Sequence, residues 1–313
     1  MNAQAAEDVR ALLPPQVRVF VRDWLSANNI LLTSRDGHVL VDTGYVTHAP
    51  LTHALLASPD GIGDAPLSMI VNTHGHSDHV GGNASLAAKY GCPIAFPANE
   101  ADAVDRWDHQ ALLYDYADQR IDRFRVDLRI AAGSSLRLGE LEWRVLGAPG
   151  HDMGAVVFYN PEHRILISGD ALWQRGFGFV MPRAIDPGAM AATRATLDMI
   201  AALDVKVVIP GHGTPFAGVS AALAEAYARL SSFEADDARA ARHALKVILT
   251  FHLLDCRQMK LAELPGYVER VGIYRDINAA VLQLSAADLA LMLVRELERA
   301  AAVHRADGWL VKS

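Results

Sequence analysis

Cysteine is almost absent: Cys92 and Cys256 are the only two in 313 residues. They are far apart and neither has a C-x-x-C partner, so both read as small buried apolar thiols rather than as a redox or metal motif. Long apolar runs are missing too. No stretch reaches the ~18 uninterrupted apolar residues of a membrane span. Met1–Asp8 has neither the basic nor the apolar segment of a signal peptide, so the expectation is a cytoplasmic protein with no membrane partner. Basic charge is also in deficit, 29 Lys and Arg against 36 Asp and Glu, for a net −7. That balance argues against nucleic acid and anionic membranes as partners and leaves a small-molecule substrate. No low-complexity segment or fixed-period repeat is visible.

Apolar residues make up 51% of the chain, enough for one large core or one domain with an appendage. Strands are expected at Val17–Trp24, Ile30–Leu32 and Val39–Val41, the last two joined across the turn signal Arg35-Asp36-Gly37. A helix is expected from Thr47 to Ala57, a buried strand at Leu67–Val71, a helix from Asn83 to Tyr90 closed by Gly91, and a strand at Pro93–Phe96. Residues Ala98 to Tyr116 read as an irregular helical excursion. Short strands follow at Ser135–Leu138, Leu141–Leu146, Ala155–Tyr159, Ile165–Ser168 and Val205–Ile209. Asp186-Pro187 opens a helix to about Leu203, with Asp186 as its cap. Two successive sets of strands with interleaved helices predict an α/β fold with two sheets packed face to face and helices outside. Beyond Ala217 the texture becomes helical, with helices at Val219–Leu230, Ala235–Leu254 and Ala286–Val303. Ser285 and Asp288 cap the last of these. The expected division is a catalytic core at 1–216 and a helical C-terminal region at 217–313.

The most informative segment is Thr73-His74-Gly75-His76-Ser77-Asp78-His79. Three imidazoles and a carboxylate this close compete for space and protons, and a folded chain gathers them when a cation holds them. The segment follows an apolar strand, and function in such sheets concentrates at strand carboxyl ends. Three more potential ligands, His151, Asp170 and His212, each follow an apolar run and an immediately preceding glycine. Strand ends on one side of a sheet are neighbours in space, so seven ligands converge there. A zinc ion takes three or four protein groups, which makes this a site for two metals. His74, His76 and His151 suit one ion and Asp78, His79 and His212 the other, with Asp170 bridging. The other eight histidines, among them His243 and His252, read as ordinary loop or surface residues.

This pattern, His74-x-His76-x-Asp78-His79 followed by His151, Asp170 and His212, resembles the metallo-β-lactamase superfamily, and Asp42-Thr43-Gly44 matches its early Asp-Thr-Gly segment. The resemblance covers about residues 17–216 and is strongest to the hydroxyacylglutathione hydrolase (glyoxalase II-like) branch. It implies an αββα sandwich with a dinuclear site at one edge and the helical region as an appendage. A carboxylate at Asp170 sets the chain apart from true β-lactamases, and His76 sets it apart from the oxygen-reducing di-iron branch. The expected activity is hydrolysis of an ester, thioester or lactone by a metal-bridging hydroxide. Asp78 takes part in catalysis and Asp42 steadies the ligands from behind. Zinc is the expected metal, with iron and manganese left open. A mononuclear iron persulfide dioxygenase and a metal-dependent phosphodiesterase or nuclease are the competing readings. Trp173, Arg175, Phe177, Phe179 and Arg183 follow Asp170 closely and are expected to line the pocket mouth, with Trp24 and Tyr45 as further candidates. The C-terminal helices are expected to cap the pocket or form a homodimer surface. A winged-helix arrangement ending in Trp309-Leu310-Val311 is a third option for this region, with a charge balance that disfavours DNA or RNA.

Overall fold

Period-two alternation decides which way each strand faces. In β2 (Asn29–Leu32) Ile30 and Leu32 point to one core and Leu31 to another, and β10 (Ile165–Gly169) and β11 (Val207–Pro210) divide their apolar residues in the same way. Strands apolar on both faces need cover on both sides, and the computed structural model, which describes residues 9–313, supplies it. The proposed absence of a signal peptide at Met1–Asp8 lies outside the described residues.

One sheet has the order β1 (Val17–Phe20), β2, β3 (His38–Val41), β4 (Leu67–Val71), β5 (Ile94–Pro97), β6 (Leu128–Ile130). The other runs β11, β10, β9 (Val156–Asn160), β8 (Leu141–Gly147), β7 (Ser135–Leu138). The first sheet is antiparallel from β1 to β3 and parallel from β3 to β6, whereas in the second only β10 and β11 are parallel. Their facing sides interlock around Val41, Val71, Trp143, Phe158 and Ile209. Helices α1 (Ala49–Ala57), α2 (Ser77–Val80), α3 (Asn83–Tyr90) and α4 (Ala98–Arg106) belong to the first half, where Leu56, Leu86 and Val104 pack on Leu40 and Ile70. Helices α5 (Ala189–Ala201) and α6 (Val219–Ala235) cover the second sheet through Leu197, Ile200, Leu223 and Leu230. This is the expected αββα sandwich, with α6 packed in its outer layer although composition grouped α6 with the C-terminal region.

Several local expectations are corrected. The first strand stops at Phe20, because residues 21–28 spend their hydrogen bonds elsewhere: Asn28 N–H donates to Gly211 O (2.6 Å) and Ala27 N–H to Asp78 O (3.0 Å). The helix expected from Asp186 begins at Ala189, and Asp186 Oδ1 accepts from Gly188 N–H (2.8 Å) instead of capping it. The excursion after Ala98 is helical only to Arg106, and β6 was not foreseen. Helix α10 (Ala286–Arg299) ends before Val303, which enters a strand; its Ser285 cap is as expected, accepting from Asp288 N–H. Cys92 is buried, but Cys256 is exposed.

The C-terminal unit follows the order α7 (Asp237–Cys256), β12 (Gln258–Lys260), α8 (Leu264–Arg270), α9 (Gly272–Ile277), α10, β13 (Val303–Ala306), β14 (Trp309–Lys312), with β14 between β12 and β13. That is a winged-helix arrangement around its own core of Leu245, Leu249, Ile273, Tyr274 and Leu293. The apolar circumference of α7, the feature that suggested a dimer surface, is covered in part by this core. The unit is fastened to the sandwich by apolar packing of Ala117 and Phe179 into that core and by polar contacts. Arg120 forms a bidentate pair with Asp255, Tyr45 Oη donates to Asp255 (3.4 Å), and His252 Nδ1 lies 3.4 Å from Asp118.

Burial works against a charged His252, but Asp118 and Cys256 outweigh it and raise its pKa from 6.5 to about 9. Asp118 is itself held below 3.8, mainly by the hydrogen bond from His252. A histidine raised in the folded state contributes stability below its unfolded pKa and loses it as pH climbs through the folded value. The docking contribution is therefore full between about pH 4 and 6.5 and fades toward pH 9. Asp118 is 44% exposed, so solvent screening limits the contribution to about 1 kcal/mol. A His252→Gln variant should melt about 1–3 °C below the parent at pH 6 and together with it at pH 10. Equal melting temperatures at pH 6, measured by calorimetry, would remove the ion pair from the account.

Candidate metal centre

Loops at the carboxyl ends of β4, β10 and β11, together with the loop after β8, meet at one edge of the sandwich. All seven sequence-derived ligands are there, in two groups whose donor atoms lie within 4.8 Å of one another: His74, His76 and His151, and Asp78, His79, Asp170 and His212. In the first group His74 Nε2 is 3.2 Å and His151 Nε2 2.8 Å from His76 Nδ1. In the second, His212 Nε2 is 2.9 Å from Asp78 Oδ2, and His79 Nε2 is 3.4 Å from Asp170 Oδ1. Asp170 reaches both groups, with Oδ2 at 3.5 Å from His151 Nε2 and 3.8 Å from His212 Nε2.

Two close approaches need glycine. A Cβ on Gly211 would lie 2.2 Å from Asp170 Oδ1, and one on Gly178 would lie 2.6 Å from His151 Nδ1. No side chain fits at either place without displacing a ligand.

The outer nitrogens are tied down. Asp42, buried with φ +59°, accepts from Thr73 N–H (2.9 Å) and Thr73 Oγ1 (2.8 Å), and its Oδ2 lies 2.7 Å from His79 Nδ1. Thr73 Oγ1 lies 3.0 Å from His74 Nδ1, and His151 Nδ1–H donates to Phe179 O (2.5 Å). These contacts leave His74 Nε2, His151 Nε2 and His79 Nε2 as inward-facing lone-pair donors. Asp42 thus stands behind the site, as the Asp-Thr-Gly segment suggested.

The electrostatics fit a cation. Burial drives His74 well below the ordinary imidazole pKa and takes His76 and His151 down to about 4, so three unprotonated nitrogens converge. Burial would raise Asp78 and Asp170, but His79 and His212 hold both below the usual carboxylate range. His79 is pulled well above the usual imidazole value by Asp42, Asp78 and Asp170 against the effect of burial. Its Nε2 is buried with no hydrogen-bond partner. A buried polar atom facing two carboxylates at 3.4 and 3.7 Å, too far for good hydrogen bonds, fits a metal between them. The donor sets, three nitrogens in one group and two nitrogens with two carboxylates in the other, suit divalent transition metals.

Above the ligands opens a cavity of about 300 Å³. Trp24 stacks on His212 (5.4 Å, 4°), Trp173 meets the same ring edge-on (5.3 Å) and donates from Nε1 to Asp170 Oδ1 (3.1 Å). Phe179 stands beside His151 on the opposite side. Of the residues expected at the mouth, Trp173, Phe179 and Trp24 do line it. The others are corrected. Arg183 turns outward to Asp237 (2.9 Å) and Glu234 O, and Arg175 is exposed away from the cavity. Phe177 is buried against Phe233, and Tyr45 is buried against Phe251.

Helix α7 provides the far wall; sequence reasoning had a cap by the C-terminal helices in view but named none of its lining residues. His243, Lys246, Val247, Thr250, Phe251 and Leu254 face the cavity at helical spacing. The mixing of His243, Lys246 and Thr250 with Val247, Phe251 and Leu254 along one helical face was the available signal. It also missed Asp152, whose Oδ2 lies 3.7 Å from His76 Nε2, and the buried Glu100 beside it.

The family model described as the metallo-beta-lactamase superfamily matches residues 22–212. A hydroxyacylglutathione hydrolase of Hyphomonas neptunium is 31% identical over 147 residues, 44% of this chain and 50% of that protein. An acyl-coenzyme A thioesterase of Gallus gallus is 28% identical over 177 residues, 52% of this chain and 62% of that protein. The chain thus spans about half the length of the curated relatives it matches. Among solved structures, a metallo-beta-lactamase family protein of Thermus thermophilus superposes with a TM-score of 0.58 at 20% identity, covering 96% of this chain and 99% of that one. That likeness speaks for the fold, C-terminal unit included. A second structure, of a protein in a di-iron-bound form, gives a TM-score of 0.51 at 28% identity over 66% of this chain and 96% of that one. With the matched span, the αββα sandwich and the ligand-bearing edge all in agreement, the chain belongs to the metallo-beta-lactamase superfamily.

Proposed function

We propose that the chain is a metal-dependent hydrolase with a dinuclear centre that cleaves an ester, thioester or lactone. The observation that carries the reading is Asp170, whose two oxygens lie within 3.8 Å of nitrogens from both ligand groups. A carboxylate so placed is suited to bridge two ions. The names of the similar proteins, hydroxyacylglutathione hydrolase and acyl-coenzyme A thioesterase, point to thioesters. Zinc is the metal we favour, on the nitrogen-rich donor set.

When bound, two divalent cations would polarise the substrate carbonyl and bring the pKa of a shared water toward neutrality. The protein's part is positional. Asp78, on the cavity floor, would hold one ion through one carboxylate oxygen and offers the other to orient a water or pass a proton to the leaving group. Trp173 Nε1–H fixes Asp170, while Trp24 and Phe179 shield opposite sides of the floor from solvent.

The substrate is a small molecule. Nucleic acid is disfavoured because region 217–313 balances 12 Lys and Arg against 12 Asp and Glu, and its helix α7 serves as a cavity wall. No single helix among the described residues is long and apolar enough to cross a membrane. We place the protein in the cytoplasm, in keeping with two unpaired thiols.

Metal analysis of purified protein should give about two divalent ions per chain. Asp170→Ala should bind about one or none and lose at least ~100-fold in ester turnover; unchanged stoichiometry and rate would refute the assignment. Gly211→Ala should fold normally by circular dichroism yet lose metal, because its Cβ would fall 2.2 Å from Asp170 Oδ1.

Asp42→Asn should weaken metal binding about 10–100-fold, read by chelator competition. Full affinity in that variant would show that Asp42 only shapes its own turn.

A further inference from the structure

The cavity that reaches the metal ligands is lined chiefly by carbon, and its charge pattern narrows what can enter. One wall is the face of α7 that carries His243, Lys246, Val247, Thr250, Phe251 and Leu254. These positions repeat every three or four residues, so they form one stripe, about 16 Å long at 1.5 Å per residue. All six are only partly buried although α7 is packed into the C-terminal core, because each borders the cavity on one side. Leu113 and Phe179 add to the apolar surface from the sandwich side.

Among the described residues, Lys246 is the only Lys or Arg that lines the cavity, and its Nζ is already 2.8 Å from Glu296 Oε2. Arg242, a turn earlier, is directed to the same Glu296. A carrier bearing several carboxylates or phosphates would have to desolvate them with no free cation from the described residues in the cavity to receive them.

We infer that this site selects substrates with an uncharged, apolar acyl group seated along α7, joined to an alcohol or thiol that carries no anionic groups. The inference rests on the hydrolase reading above. In the reaction the acyl C–O or C–S bond breaks, a C–O bond to the oxygen of water forms, one proton of water ends on the departing alcohol or thiol, and the other is released to solvent as the acid leaves as a carboxylate. Helix α7 acts here as a specificity element, and Val247 and Leu254 set how long a chain fits.

The test uses full-length, metal-loaded protein with 4-nitrophenyl esters from acetate to octanoate and S-acyl glutathiones of the same acids. kcat/KM should rise about three- to fourfold for each methylene that enters the cavity, and the neutral esters should exceed the glutathione thioesters of equal length. Val247→Trp should move the optimum to shorter chains and Leu254→Ala to longer ones, so that one misfolded variant leaves the other to decide. Acetyl and hexanoyl esters cleaved within twofold of each other, or glutathione thioesters preferred, would overturn the inference.

A readout without turnover separates this from the hydrolase reading. Binding of the free carboxylates from acetate to octanoate is followed by quenching of Trp24 and Trp173. Affinity that climbs with length while no ester is cleaved supports the cavity assignment and sinks the hydrolase reading. Affinity indifferent to length sinks the cavity assignment itself.

Discussion

Lone pairs of His74, His76 and His151 meet within about one hydrogen-bond length of each other in a place that water barely reaches, and no Lys or Arg of the described residues stands among them. Much of the architecture around the site answers that one electrostatic demand. Protonating these rings is opposed by burial, and leaving the nitrogens unpartnered costs about the desolvation of each group. A divalent ion resolves both. The cluster is tolerable because the sandwich is large enough to hold it rigidly, with the inter-sheet core just beneath and the strands that carry the ligands anchored in it.

Rigidity is passed outward in steps. Strand β3 leads into Asp42, whose left-handed backbone turns its carboxylate under the next strand to meet Thr73 and His79. A non-glycine residue in that region costs of order 1 kcal/mol, and it persists because four polar contacts determine it. In the second sheet Gly211, after β11, closes against Asp170, after the neighbouring β10, and the loop carrying Trp24 is laced to the same place by Asn28. His79 and His151 are thus fixed by second contacts from distant parts of the chain, Asp42 and Phe179 O.

The fold was largely legible because its signals are local. Ile30-Leu31-Leu32 and Val207-Val208-Ile209 alternate between cores in a way that needs no partner to be read, and each ligand follows such a run, four of them directly after a glycine. What escaped depends on contacts distant in sequence. The end of β1 at Phe20 follows from bonds to Gly211 and Asp78, far along the chain. Phe177 and Phe179 are two residues apart and equally aromatic, yet one fills the layer under α6 and the other faces His151. Arg183 looked like a carboxylate receptor because Asp237, its actual partner, lies on an element whose docking the sequence does not announce. His243 and His252 read as incidental histidines, but helical spacing puts the first on the cavity and packing puts the second on Asp118.

Helix α7 holds two roles that pull its sequence in different directions. Leu245, Leu249 and Leu253 must satisfy the core of the C-terminal unit, while Val247, Thr250 and Leu254 must leave a space open. The ligand shell comes wholly from residues 74–212, and the wall opposite it from residues after 236. Reaction chemistry and substrate shape are therefore written on different stretches of the chain, joined by contacts such as Arg120 with Asp255 and by Ala117 and Phe179 in the C-terminal core rather than by the inter-sheet core. Changes to the α7 stripe alter what fits without touching a single ligand, whereas a change as small as one methyl group at Gly211 strikes the donors directly. On such a scaffold, substrate range can drift through the C-terminal unit while the metal site stays constant.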